Sequence, residues 1–147
     1  FCLFLLLNGC VKEAKMYSAQ YVIKNETSQV VKLNYYTTLN NILLNNYMIN
    51  VNEILEGPLT ERGDVPPINY PDYTLAVTNL SDGDSLVVIF NNEKKTIMQT
   101  SLDGYSEPLN RNLFRHGNYE YLGNDQFQFT FTEEDYENAE DCGGPCE

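Results

Sequence analysis

Gln126-Phe127-Gln128-Phe129-Thr130-Phe131-Thr132 carries the plainest structural signal in this chain of 147 residues. Its period is two: Phe127, Phe129 and Phe131 fall on one face and only amides and hydroxyls on the other. That is the pattern of an antiparallel strand with one side on a core and one in water. Val31, Leu33 and Tyr35 alternate in the same way within Gln29 to Thr37. They follow Tyr21-Val22-Ile23-Lys24 and a polar turn at Asn25-Glu26-Thr27-Ser28, so the two runs read as a hairpin. Ser85 to Phe90 is apolar at every position from Leu86, which predicts a central strand covered on both faces. Asn91-Asn92-Glu93 turns it into Lys94 to Thr100, a second hairpin. Ile42 to Leu44 and Tyr47 to Val51 are shorter strands separated by Asn45-Asn46, a pair that tolerates the left-handed backbone of a tight turn.

Two stretches break this rhythm. Glu56 to Asp84 holds Gly57-Pro58, Gly63-Asp64, Pro66-Pro67, Pro71-Asp72 and Asp82-Gly83-Asp84, a long excursion with one strand expected at Tyr73 to Thr78. Leu102 to Asn118, with Gly104, Pro108 and Gly117, is the second. Long irregular segments in a small domain are uncommon and often functional, which makes these two the expected binding face. A single helix is expected from Thr132 to about Glu140, with Thr132 as its cap and Asp135 as the capping-box partner. The acids of its first turn suit the positive end of the helix dipole. Only Tyr136 and Ala139 are available to bury, so the helix should lie on a sheet edge. No repeat or heptad is present, and the asparagines are scattered as turn formers. The pattern predicts an all-β protein, an antiparallel β-sandwich or open barrel with one short C-terminal helix.

The N-terminus carries a different kind of information. Phe1-Cys2-Leu3-Phe4-Leu5-Leu6-Leu7 is too short to span a bilayer, which takes about 20 apolar residues. It has the length of a signal-peptide apolar region, without the basic residues that normally precede one. Because Phe1 is not a methionine, a few earlier residues are expected to be missing. Leu7-Asn8-Gly9-Cys10 resembles the lipobox of bacterial lipoproteins. That resemblance implies a diacylglycerol on the Cys10 sulfur, cleavage just before it by signal peptidase II, and acylation of the freed amine. Asn8 departs from the Ser, Thr or Ala commoner at its position. An ordinary cleaved signal and a buried strand are the other readings of the run. Two or more acyl chains hold a protein stably at a membrane, whereas one holds it only marginally. The expected organisation is residues 1–9 as signal peptide, 10–18 as lipidated cysteine and polar tether, 19–141 as the β domain and 142–147 as a cysteine-containing tail.

About 130 residues after the signal is the usual size of one domain, large enough to fold without a metal or a disulfide. The formal charge of −12 and a pI near 4.3 argue against nucleic acid and anionic lipid head groups as partners. Seven acids and no base lie in residues 133–147, the pattern of a solvated end. With Cys2 in the signal and Cys10 in the anchor, Cys142 and Cys146 remain. They bracket Cys142-Gly143-Gly144-Pro145-Cys146, a tight turn that an oxidising envelope could close as a disulfide; two free thiols are the alternative. Zinc would need ligands beyond these two and His116, and the C-x-x-x-C spacing is not that of a redox motif.

Over most of the mature length the chain resembles small Bacteroidetes-type lipoproteins. The residues that carry this are Tyr21-Val22-Ile23-Lys24-Asn25-Glu26-Thr27-Ser28, Asp84-Ser85-Leu86-Val87-Val88-Ile89-Phe90 with Lys94-Lys95, and Phe131-Thr132-Glu133-Glu134-Asp135-Tyr136-Glu137-Asn138-Ala139. The resemblance implies lipidation, an outer-membrane location and a β fold, and carries over no active-site residue.

Enzymatic chemistry finds little in the sequence. His116 could in principle join Ser101 or Ser106 and Asp103 in a triad, but such triads are normally assembled from distant segments, and His116 is expected to be a solvent-exposed loop residue. Twenty-one acids make any carboxylate pair uninformative. Asp82-Gly83-Asp84 lacks the ordered ligand series of a calcium loop and reads as an acidic turn. Eleven tyrosines without tryptophan suggest sugar stacking, with Tyr70, Tyr73 and Tyr105 in the long loops as candidates. Tyr35, Tyr36, Tyr119 and Tyr121 sit where strands are expected. The expected function is that of a non-enzymatic, lipid-anchored envelope protein without cofactor or metal, which binds or assembles with other envelope proteins. A glycan-binding accessory role is the alternative, and a small hydrolase the remote one.

Overall fold

The phenylalanine alternation is realised in a strand, Gln126–Phe131, whose three rings are buried while its polar residues stay half-exposed. A computed structural model describes residues 15–76, 78–100 and 111–146. In chain order the elements are β1 Ser18–Asn25, β2 Val31–Tyr36, β3 Leu43–Ile49, β4 Ile54–Glu56, β5 Thr60–Glu61, β6 Ser85–Phe90, β7 Lys94–Gln99, β8 Glu120–Gly123, β9 Gln126–Phe131, α1 Glu133–Asn138 and β10 Glu140–Asp141. They form two sheets. One runs β4-β1-β9-β8, with β5 also on β1; the other runs β10-β7-β6-β2-β3. The two pack as a β-sandwich, which settles the choice between sandwich and open barrel. Phe90 of the second sheet meets Phe131 of the first edge-on at 5.7 Å, and Phe131 meets Phe129 at 5.0 Å. Around them Tyr21, Ile23, Leu33, Tyr35 and Leu86 are fully enclosed.

β6 is the middle strand of its sheet, and β7 follows it through Asn91 and Asn92, both in the left-handed region at φ 48° and 60°. The other positive-φ residues without a glycine are Asn41, Asn52, Asn79, Asn124 and Asp125. This is the turn service expected of a scattered asparagine population, because Asn tolerates that conformation better than other side chains.

Three sequence expectations are corrected. First, β1 and β2 are not a hairpin: they lie in different sheets, β1 against β4, β5 and β9, and β2 against β3 and β6. The Asn25–Ser28 turn is instead an arch across the sandwich, and the reason lies in the buried Asn25 side chain. Its Nδ2 donates to the carbonyls of Gln29 (2.7 Å), Ile49 (3.0 Å) and Asn50 (3.2 Å). Its Oδ1 accepts from the amide (3.0 Å) and hydroxyl (2.8 Å) of Thr27. Second, Asn45 and Asn46 do not form a turn. They are mid-strand in β3, opposite Tyr35 and Asn34, and the reversal is made earlier at Asn41. An Asn pair with its side chains in water costs a strand little when neighbouring residues are paired. Third, the described residues of Tyr73 to Thr78 form no strand, only a single bridge from Leu75 to Arg115.

β1 pairs in parallel with β9, the exception to an otherwise antiparallel architecture. The ends of this pair are fixed by Gln20 N donating to Asp125 O and Glu26 N to Phe131 O, each at 2.9 Å. Tyr17 and Ser18, read as the end of the tether, are already part of the fold: Tyr17 N donates to Gly63 O at 3.1 Å and Ser18 pairs with Glu61. At the other end, α1 carries its capping box at Thr132, whose amide donates to Asp135 Oδ2 at 2.8 Å. Its chain continues into β10 on the edge of β7, and Tyr136 and Ala139 pack on the core.

Replacing Asn25 by Ala should lower unfolding free energy by about 3 kcal/mol, since several buried backbone groups lose their partner at once. Urea denaturation measures this. A loss under about 1 kcal/mol would show that the arch does not depend on the amide.

Candidate functional site

The described parts of the two irregular segments come together beside the first sheet, residues 72–76 against residues 114–117. Ala76 N donates to Phe114 O (3.0 Å), His116 N to Thr74 O (2.8 Å) and Gly117 N to Asp72 O (2.9 Å). A Cβ at Gly117 would lie 2.4 Å from Asp72 Cβ, so this approach requires glycine. Gly57 plays a similar part at the start of the excursion, where a Cβ would lie 2.4 Å from Thr78 O.

The apposition buries His116, contrary to the exposed loop histidine expected. Its Nδ1 lies 3.0 Å from the Tyr21 hydroxyl. Phe127 and Tyr70 enclose the ring at centroid distances of 4.8 and 5.5 Å. Burial first, and the Arg62 charge second, hold its pKa below the ordinary histidine value; Asp72 and the Pro67 carbonyl act the other way. The imidazole is therefore neutral at pH 7. We assign its proton to Nε2, towards Pro67, with Tyr21 donating to Nδ1. Burial likewise raises the pKa of Tyr21, so the donor keeps its proton. The inward period of β1 places a tyrosine hydroxyl in the core, and a buried hydroxyl needs a partner. That requirement was the signal for His116 that the sequence offered. Chemically, this pair locks the excursion onto the sheet. Ser101, Asp103 and Ser106, the other residues of the conceivable triad, lie outside the described residues.

The candidate tyrosines diverge. Tyr70 is half-buried, edge-on to His116, and the Arg62 guanidinium sits 5.6 Å from its ring centre. The guanidinium thus covers one face of the ring. Tyr73 is exposed, and Tyr105 lies outside the described residues. Of the strand tyrosines, Tyr35 and Tyr119 are buried in the core.

A second feature, not legible in the sequence, is a cleft of about 440 Å³ at the C-terminal tail. It is lined by the β6–β7 turn, Lys94, Tyr136, Asp141, Gly144 and Pro145. Cys142 and Cys146 are joined as a disulfide. The tail is docked by Cys142 N donating to Glu93 O at 2.9 Å and Cys146 N to Asn92 O at 3.3 Å. Lys94 Nζ donates to the carbonyls of Tyr136 (3.3 Å) and Glu137 (3.1 Å), and the Tyr136 hydroxyl donates to Glu93 Oε2 (3.2 Å). These polar groups satisfy one another, the arrangement of a structural clasp.

In the Asp82-Gly83-Asp84 turn, Asp84 spends both carboxylate oxygens on Thr38, accepting from its amide and its hydroxyl at 2.6 Å each. Those bonds hold its pKa below the ordinary carboxylate range. Among the described residues no group of three or more His, Cys, Asp or Glu is placed to hold a metal ion. No helix among them is long and apolar enough to cross a membrane. Compared with protein-family models, curated proteins and solved structures, the chain shows no significant match.

Tyr21→Phe removes one hydrogen bond from a buried pair and should cost about 1–2 kcal/mol in urea denaturation. The pH dependence has a definite sign. The unfolded chain takes up a proton at its ordinary histidine pKa, whereas folded His116 resists it, so stability falls as pH drops through that value and levels off below the lowered one. His116→Gln should remove this part of the slope; an unchanged slope would mean that His116 does not titrate differently on folding.

Proposed function

We propose that this chain is a lipid-anchored protein of the bacterial cell envelope, non-enzymatic, whose β-sandwich binds or assembles with other envelope proteins. The observation that carries the reading is Leu7-Asn8-Gly9-Cys10, a lipobox-like run ending in a cysteine. The disulfide between Cys142 and Cys146 supports it, because such bonds persist in oxidising compartments and are rare in the cytosol. Between Cys10 and the first paired residue, Tyr17, lie only six residues, among them Lys12, Glu13 and Lys15. A leash so short would hold the sandwich close to the lipid surface. The net charge of −12 would repel both nucleic acid and anionic head groups, leaving the acyl chains as the source of membrane affinity. A binding role fits the tail cleft and the interlocked loops better than catalysis does, since the buried histidine and the tail lysine are both engaged within the fold.

Expression in a bacterium fed labelled palmitate tests the anchor. Label should enter the wild-type protein and not Cys10→Ser, and the mass of the N-terminal peptide should correspond to acylated Cys10 as the first residue. A bare thiol at Cys10, or an uncut leader, would overturn the proposal.

A further inference from the structure

The described strands leave four sheet edges, and three are guarded in the manner of proteins that must not pair edge to edge. The β4/β5 edge is broken by Gly57-Pro58 and carries Glu56 and Glu61. β8 is four residues long, begins with Glu120 and is bulged between Tyr121 and Gly123. β10 is two residues, both acids. β3 differs from all of them. It runs for seven residues, pairs among the described strands only with β2, and contains neither charge nor proline. The neutral stretch extends from Leu33 to Asn52, in a chain whose net charge is −12. Leu43, Leu44 and Met48 are exposed along it, Met48 by 64%.

Neutrality narrows the occupant. Two copies of so acidic a chain repel one another everywhere that carboxylates face, and β3 is the edge on which they do not. The ladder then fixes the register. Asn91 N donates to Val30 O, so the even-numbered residues of β2 bond to β6 and its odd-numbered residues to β3. Val31, Leu33 and Tyr35 accordingly engage Ile49, Tyr47 and Asn45. Asn46 and Met48 are left with amides and carbonyls directed out of the sheet. An antiparallel partner centred on Asn46 uses the whole of β3, sets Asn46 against its own copy, and brings Met48 against Leu44. The strand is self-complementary in this register: amide meets amide at the centre, and exposed apolar side chains meet on either side.

We propose that two copies of this chain associate through antiparallel pairing of their β3 strands about a two-fold axis at Asn46, joining the two five-stranded sheets into one of ten. The interface is isologous, so it closes on itself as a dimer and does not propagate. The bulge between Tyr35 and Tyr36, opposite Leu44, adds twist at one end of the ladder and helps end it there. This dimer does not depend on lipidation of Cys10.

Sedimentation velocity of the full chain in a non-ionic detergent, over a broad dilution series, tests it. The wild type should show a reversible monomer–dimer equilibrium. Asn46→Lys, which sets like charges opposite each other at the axis, should weaken the dimer about 100-fold. Its circular dichroism and urea midpoint measured at high dilution should remain those of wild type, since position 46 faces water. Asn46→Cys should form a disulfide-linked dimer under mild oxidation, while the wild type, with Cys2 and Cys10 as its background, should not. A wild type that stays monomeric throughout overturns the proposal, as does a dimer that survives Asn46→Lys and fails to cross-link through position 46.

Discussion

A two-layer sandwich must carry its chain from one layer to the other, and at each crossing backbone groups leave the ladder that would have satisfied them. Asn25 meets that constraint at the first crossing. Its amide group serves Gln29, Ile49 and Asn50, and its carbonyl group serves Thr27. The end of β1, the start of β2 and the end of β3 are thereby tied to one side chain that is fully buried. This junction links β1 of one sheet to β2 and β3 of the other, beside the Phe90–Phe131 contact that both sheets share.

The same economy runs through the loops. Where the chain departs from its sheets it is brought back by specific polar groups: Asp84 on Thr38, His116 on Tyr21, Asn112 Nδ2 on the Gln99 carbonyl, Arg111 on Asp135. Burial holds His116 neutral and Tyr21 protonated, the states that make their bond.

Acidity and pairing divide the surface between them. Carboxylates sit on the short or interrupted edges, where they discourage strand addition, and the one long edge carries none. Backbone pairing is insensitive to side-chain identity but not to charge repulsion, so the placement of acids decides where an edge stays open.

By itself the sequence determined the strands whose one face is buried throughout, because that burial imposes a period of two that Phe127, Phe129 and Phe131 or Val31, Leu33 and Tyr35 cannot hide; β3, nearly all of it exposed, carries no such period. It also determined the capped helix, the asparagine turn at Asn91-Asn92 and the all-β class, each of which is a local matter of backbone geometry. Tertiary structure alone decided which strands are neighbours. Asn25-Glu26-Thr27-Ser28 has the composition of a hairpin turn, and only the carbonyls of Ile49 and Asn50, distant in sequence, make it an arch. The site was legible in the same measure. Tyr70 could be located in a loop, but that Arg62 would cover its ring, and that His116 would be drawn under it to satisfy Tyr21, depends on the approach of two segments distant in sequence at Gly117 and Asp72. Periodicity records what a residue must do against its own sheet, whereas partnership across the core is a property of the packed chain.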